Sequence, residues 1–151
     1  MPLLLDDHSS TCETVFLTTA FGSRPDPQAK RYKPPTLDYI ERYYRSILSI
    51  PGGKAKALIF HDGLPDDIVR NYSTADGAVT FVKVDLSGMD ENLGLNDLRY
   101  QVYEEQVKKH AEWETVFMTD SSDLIVLHNP CVFARKQPDK IFVCGQSSRL
   151  G

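Results

Sequence analysis

Two carboxylates, Asp120 and Asp123, stand together in Thr119-Asp120-Ser121-Ser122-Asp123. The apolar run Val116-Phe117-Met118 leads into them, and Leu124-Ile125-Val126-Leu127 follows, closed by His128-Asn129-Pro130. Carboxylates held so close repel each other unless a cation or a proton relieves the charge. Small hard cations prefer oxygen ligands, so such a pair could bind Mn2+ or Mg2+ and, through the cation, a phosphate-bearing ligand. The plainer alternative is that Asp120 caps a turn and Asp123 is solvated, since Asp and Ser are ordinary turn residues.

Such a pair needs a scaffold. A strand that is apolar on both faces belongs inside an α/β sheet. The carboxyl ends of such strands border the crevice where open α/β sheets bind ligands. Residues 116–118 are expected to be a central strand of this kind. Thr14-Val15-Phe16-Leu17-Thr18-Thr19 is rich in β-formers and reads as the first strand. Residues 20–35 follow as a long loop with Gly22, Pro25, Pro27, Pro34 and Pro35, and long loops in compact domains tend to be functional. Thr36 is placed to cap a helix on which Leu37, Ile40, Tyr44, Ile47 and Leu48 share a face. Pro51-Gly52-Gly53 ends it.

Ala57-Leu58-Ile59-Phe60 reads as a second strand running into His61-Asp62-Gly63, and residues 79–84 as a third. Helical spacing returns from Asn96 to His110, with Glu104–Lys108 and Glu105–Lys109 as favourable i,i+4 pairs. The strand before the carboxylates comes next, and Ile141-Phe142-Val143-Cys144-Gly145 reads as a last one. The order β-α-β-β-α-β-β predicts an α/β fold, a mostly parallel Rossmann-like sheet flanked by helices. One domain is expected over residues 14–151, after an extension over residues 1–13.

Composition narrows the function classes. With 41% hydrophobic and 25% charged residues, the chain has the make-up of a soluble globular domain. A net charge of -4 argues against nonspecific nucleic-acid binding, which needs a basic face. No apolar run approaches a membrane span, and Asp6-Asp7 directly after Leu3-Leu4-Leu5 fits neither a signal peptide nor an anchor. Both a cytoplasmic location and a luminal Golgi origin, as a fragment, stay open. Cys12, Cys131 and Cys144 form an odd set without metal-type spacing, expected to be reduced thiols. No Gly-x-Gly-x-x-Gly follows the first strand and no Gly-Lys-Ser/Thr occurs, which disfavours dinucleotide oxidoreductases and P-loop enzymes.

The Thr119–Asp120 motif with its trailing apolar run and Asn129-Pro130 resembles the metal signature of GT-A glycosyltransferases, which use nucleotide-sugar donors. Its Asp-Ser-Ser-Asp spacing is one residue longer than the commoner Asp-x-Asp, a form that some families of the class share. A second resemblance is Asn96-Asp97-Leu98-Arg99-Tyr100 with Tyr103, which is similar to the opening of the helix before the metal motif in several GT-A families. A weaker likeness runs to a small chlorella-virus transferase domain. The match spans residues 14–145 and the donor-binding half of a GT-A domain alone. A truncated or minimal transferase, or a fragment of a longer chain, is therefore expected.

The resemblance implies a set of roles. Asp123 becomes the direct metal ligand, because its distance from Asn129 matches the second Asp of the usual motif. Asp120 meets the ribose or reaches the metal through water, beside Ser121 and Ser122. Thr18, Thr19, Ala20, Phe21 and Arg24 line the nucleotide, with Phe21 against the base and Arg24 facing the diphosphate. Asp62 meets the base or ribose, and could equally serve the Gly63 turn. Arg99 would serve the diphosphate or the sugar with its planar fork of donors. Asp97 would orient Arg99 or bond a sugar hydroxyl. The plainer alternative makes Asn96 a helix cap and Asp97 a dipole partner. The implied activity is metal-dependent transfer of a hexosyl or deoxyhexosyl group from a nucleoside-diphosphate sugar, a UDP-sugar above all, to a hydroxyl acceptor. The rival is a catalytically silent nucleotide-sugar-binding or interaction domain.

Overall fold

The structure, a computed structural model, describes residues 12–25, 36–51, 54–122 and 124–141. Runs of Val, Phe, Ile and Thr form the strands β1 (Thr14–Ala20), β2 (Ala55–His61), β3 (Val79–Lys83) and β4 (Thr115–Met118), since branched and aromatic side chains pack well on a pleated surface. Between them come α1 (Leu37–Leu48), α2 (Asp66–Tyr72) and α3 (Leu95–Lys109), and α4 (Cys131–Arg135) follows β4.

The strands pair in the order β3-β2-β1-β4, all parallel. Parallel neighbours need crossovers, and crossovers in one sheet are right-handed. The chain steps in one direction through α1 and α2, then α3 carries it back past β1. A reversal at constant handedness puts the helices on opposite faces. Packing agrees: Ile40, Tyr43 and Ile47 of α1 cover Phe16, Ala57, Ile59 and Val79, while Val102 and Tyr103 of α3 cover Val15, Leu17 and Phe60. The described sheet is therefore all-parallel α/β, compatible with a Rossmann-like fold. No helix of the described residues is long and apolar enough to cross a membrane.

Several sequence expectations need correction. α2 was not foreseen: it is only seven residues long, and its inward side chains, Val69 and Tyr72, are only partly buried against the core. α1 buries Ile40, Tyr43, Ser46 and Ile47, so its inner face is rotated away from Leu48, which is exposed. α3 starts at Leu95 with Gly94 as its N-cap, which puts Asn96 inside the first turn. β4 is the edge of the described sheet, not a central strand, and Met118 is half exposed.

Residues 124–127 form no strand; Val126 is buried while Ile125 and Leu127 face outward. Of the expected last strand, Ile141 is not in a strand and residues 142–145 lie outside the described residues. The ion pairs Glu104–Lys108 and Glu105–Lys109 are present.

The thiols at Cys12 and Cys131 are not reduced as expected: they form a disulfide between residues 119 apart in sequence. Folding brings their Cα atoms to 5.8 Å, a distance that a disulfide spans. Asn129 anchors the same corner. Its Oδ1 accepts the Thr14 hydroxyl at 2.6 Å and the Cys131 amide at 3.0 Å, and its Nδ2 donates to the Cys12 carbonyl at 3.1 Å. Cys12 thus belongs to the domain, whereas residues 1–11 of the expected extension lie outside the described residues.

Candidate functional site

Because β2 leaves β1 on one side and β4 joins it on the other, the strand order reverses at β1. Such a switch point opens a crevice outside the carboxyl ends of the two strands that flank it. Asp120 lies there, two residues past β4.

The turn that carries Asp120 is tied to β1. The Thr119 amide donates to the Leu17 carbonyl at 2.9 Å and its hydroxyl to the Tyr43 hydroxyl at 3.1 Å. The buried Ser121 hydroxyl donates to the Thr19 carbonyl at 3.1 Å, and its amide to Asp120 Oδ1 at 2.9 Å. The capping role foreseen for Asp120 is therefore real, yet it occupies one oxygen. Asp120 Oδ2 stands 3.8 Å from Arg99 Nη1, with the Asp120 side chain 55% exposed and that of Arg99 23% exposed.

Arg99 is underused. Its guanidinium lies over the Tyr100 ring at 5.1 Å, and its buried Nε has no hydrogen-bond partner among the described residues. Tyr103, one turn along α3, is enclosed, with its hydroxyl also unpartnered among the described residues. Burial pushes the Tyr103 phenol up to about 12, against the lowering influence of Thr19 and Arg99, so it stays a neutral donor at physiological pH. The Thr18 hydroxyl is likewise buried and unpartnered among the described residues; by strand alternation it points to the opposite face, that of Phe16 and Ala20. Buried polar groups without partners are rare enough to need an explanation.

The loop after β1 is built by two other expected site residues. Asp62, just past β2, accepts the Gly22 amide at 2.9 Å and the Ser23 amide at 2.8 Å, one on each oxygen. Arg24 gives Nη1 to the carbonyls of Asp90 and Leu93, and Nη2 to those of Leu86 and Met89, at 2.7–3.2 Å. Both residues therefore shape the backbone around an open cleft of about 920 Å³, whose walls include Ser23, Lys83, Ser87 and Glu91. Lys83 and Ser23 were not singled out from the sequence. The rule that sites border strand carboxyl ends would have found them, since Lys83 ends β3.

Among the expected residues, the fold brings Thr19, Arg99, Asp120 and Ser121 together, and gathers Arg24 and Asp62 at the neighbouring cleft. Ala20 is buried in the core and Phe21 packs partly buried against Leu17 and Phe60. Asn96 and Asp97 are exposed in the first turn of α3. Ser122 is half-buried, and Asp123 lies outside the described residues. Asp120 belongs to no cluster of three metal-ligating side chains among the described residues. One exposed carboxylate still suits a hard cation that draws most of its ligands from phosphate and water.

No protein-family model matches the chain, and no curated protein is similar to it.

Proposed function

We propose that the chain is a metal-dependent glycosyltransferase of the GT-A type, moving a sugar from a nucleoside-diphosphate sugar to a hydroxyl acceptor. One observation carries this: at the switch point of the sheet, Arg99 keeps a buried Nε with no partner among the described residues, beside the half-exposed carboxylate of Asp120. A guanidinium with free donors is suited to a phosphate, and a carboxylate next to it gives a hard cation a seat. The adjoining cleft, floored by the Asp62-held loop, has room for the nucleoside.

In the reaction, the acceptor oxygen bonds to the anomeric carbon as the bond to the diphosphate oxygen breaks, and the acceptor's proton passes to the departing diphosphate or to solvent. Arg99 then shares the charge that grows on the leaving diphosphate, the electrostatic route to a lower barrier. Asp120, with Asp123, would hold Mn2+ or Mg2+, which supplies further neutralisation of the diphosphate when bound. Tyr103 and Thr19 support the Arg99 side of the crevice. A disulfide between Cys12 and Cys131 favours an oxidising, luminal setting over a cytoplasmic one.

The silent donor-binding domain remains a second reading, favoured by the Ser121 amide that already occupies Asp120 Oδ1. A panel of nucleotide sugars tested by thermal shift in Mn2+, then assayed for nucleoside-diphosphate release, separates the two. A bound ligand raises the melting point with the logarithm of its saturation. Shift with turnover supports the transferase, and shift without turnover the silent domain. No shift with any nucleotide rejects both.

A further inference from the structure

At the amino end of the sheet, remote from the crevice, three ligating side chains converge. The Cys12 and Cys131 sulfurs and a Glu114 carboxylate oxygen all lie within 4.8 Å of one another. Both cysteines are fully buried, while Glu114 is exposed. Glu114 is already oriented, because Arg135 grips both of its oxygens. A carboxylate has about four lone-pair sites, so one held by an arginine can still bind a cation, and ligating carboxylates are commonly steadied in this way. The Thr115 hydroxyl stands 3.5 Å from the Cys131 sulfur, placed to donate to a thiolate there. Asn129 fixes the main chain at both cysteines, through the Cys131 amide and the Cys12 carbonyl.

We propose that reduction of the Cys12–Cys131 bond exposes a Zn2+ site made by the two cysteine thiolates and the Glu114 carboxylate, with the fourth position left to water. Two thiolates and a carboxylate form a donor set that favours zinc over Mn2+ or Mg2+. In a tetrahedral site with Zn–S bonds of about 2.3 Å, the two sulfurs sit about 3.8 Å apart. They need only separate modestly once the bond between them is gone. The exchange balances: a dithiol reductant passes two electrons and two protons to the cysteines and leaves as its own disulfide. Zinc then displaces both thiol protons to solvent. The same corner of the fold is thereby held by a covalent bond in oxidising surroundings and by a metal in reducing ones.

The test uses the full chain carrying Cys144→Ser, which removes the third thiol. The protein is reduced with a water-soluble phosphine and titrated with Co2+ as a spectroscopic stand-in for Zn2+. One equivalent should bind with a thiolate-to-cobalt charge-transfer band, absent from the oxidised protein. Glu114→Ala should weaken binding about tenfold or more, and Cys131→Ser should abolish the band. Thermal melts give the second readout: Zn2+ should restore the melting point that reduction lowers, and only in the protein with both cysteines and Glu114. Three outcomes overturn the proposal: a folded reduced protein without the band, a band undiminished by Cys131→Ser, or a reduced protein that melts early and is not rescued by Zn2+.

Discussion

Arg99 Nη1 and Asp120 Oδ2 face each other at 3.8 Å, close enough for attraction and too far for a good hydrogen bond. The pair joins α3 to the turn after β4, two elements that flank β1 without belonging to one another. A loose contact of opposite charges over a strand end leaves each partner free to take a ligand of its own. An anion can engage Arg99, and a cation can engage Asp120. Each half of that statement can be tested separately.

Arg99→Ala should weaken UDP far more than uridine, because UDP alone offers the anionic partner. The loss of a charge-assisted hydrogen bond amounts to about 1.5–3 kcal/mol, or roughly tenfold or more in Kd. Calorimetric titration of both ligands reads the difference. Equal weakening of the two, or an earlier melt with affinity unchanged, would assign Arg99 to the structure of α3.

Asp120→Asn should act with opposite sign in the two metal conditions. Without metal, the variant removes a like charge beside the diphosphate and releases Arg99, so UDP binds more tightly. With Mn2+ it removes a ligand, so UDP binds more weakly. Each shift should be on the order of 1 kcal/mol, modest because the carboxylate is largely solvated. If Asp120 serves only its turn, Mn2+ makes no difference to the comparison.

Most of this architecture is legible from local pattern. The four strands are dense in β-branched and aromatic residues, and α3 carries its i,i+4 charge pairs where the sequence places them. What pattern missed has physical reasons. α2 has only seven residues, so its short stripe of Ile68, Val69 and Tyr72 spans too few turns to stand out as a helix. Leu124-Ile125-Val126-Leu127 has the composition of a strand, but the Val126 amide is taken by the Ser46 hydroxyl of α1 at 3.0 Å and no strand forms there. Asn129 was the mark by which the resemblance singled out Asp123 as the metal ligand. It lies at the amino end of β1, bonded to Thr14, whereas the turn of Asp120 is tied to Thr19 at the carboxyl end. The disulfide was hidden because its cysteines meet only in the folded chain. In the candidate site, the resemblance to GT-A motifs singled out Arg99 and the pair Asp120 and Asp123, whereas the backbone roles of Arg24 and Asp62 depend on loop geometry that no spacing encodes.

Arg24 offers a contrast with Arg99, since its two terminal nitrogens are spent on four carbonyls. Arg24→Ala should lower stability by about 1–3 kcal/mol, the range for leaving polar groups without their charged partner. It should also weaken uridine and UDP alike, because it disturbs the cleft wall and not the diphosphate. Arg24→Lys should fail to rescue, since a point charge cannot span the fork of acceptors. Urea unfolding and paired titrations check both. Selective loss of UDP over uridine would return Arg24 to the diphosphate.

The corner at Cys12, Cys131 and Asn129 should govern stability without touching affinity. Replacing both cysteines by Ser removes a cross-link over a long stretch of chain and should cost about 2–5 kcal/mol. Urea midpoints in the wild type and the double variant measure it, with UDP affinity as the control. Ligand affinity that falls in native conditions, at full folding, would mean that the corner reaches the crevice through residues 119–129.

His61 contributes to the pH response. The ring is buried at the end of β2, its Nδ1 accepts the Leu64 amide at 3.2 Å, and it stands edge-on to Phe81 at 6.4 Å. Burial lowers its pKa below 6.5, Lys83 lowers it further, and Asp62 and Asp66 offset part of the fall. A protonated Nδ1 would also lose the Leu64 amide, since it can no longer accept. The unfolded chain thus binds the proton first as pH drops. Stability from this residue is complete above 6.5 and is lost as pH falls from there towards the depressed folded value. His61→Gln should flatten that part of the profile, while the other histidines contribute alike in both proteins. Urea midpoints at pH steps from 7.5 to 5.5, taken as the difference between wild type and variant, isolate the effect. Parallel profiles would show that His61 titrates in the fold as it does in the open chain.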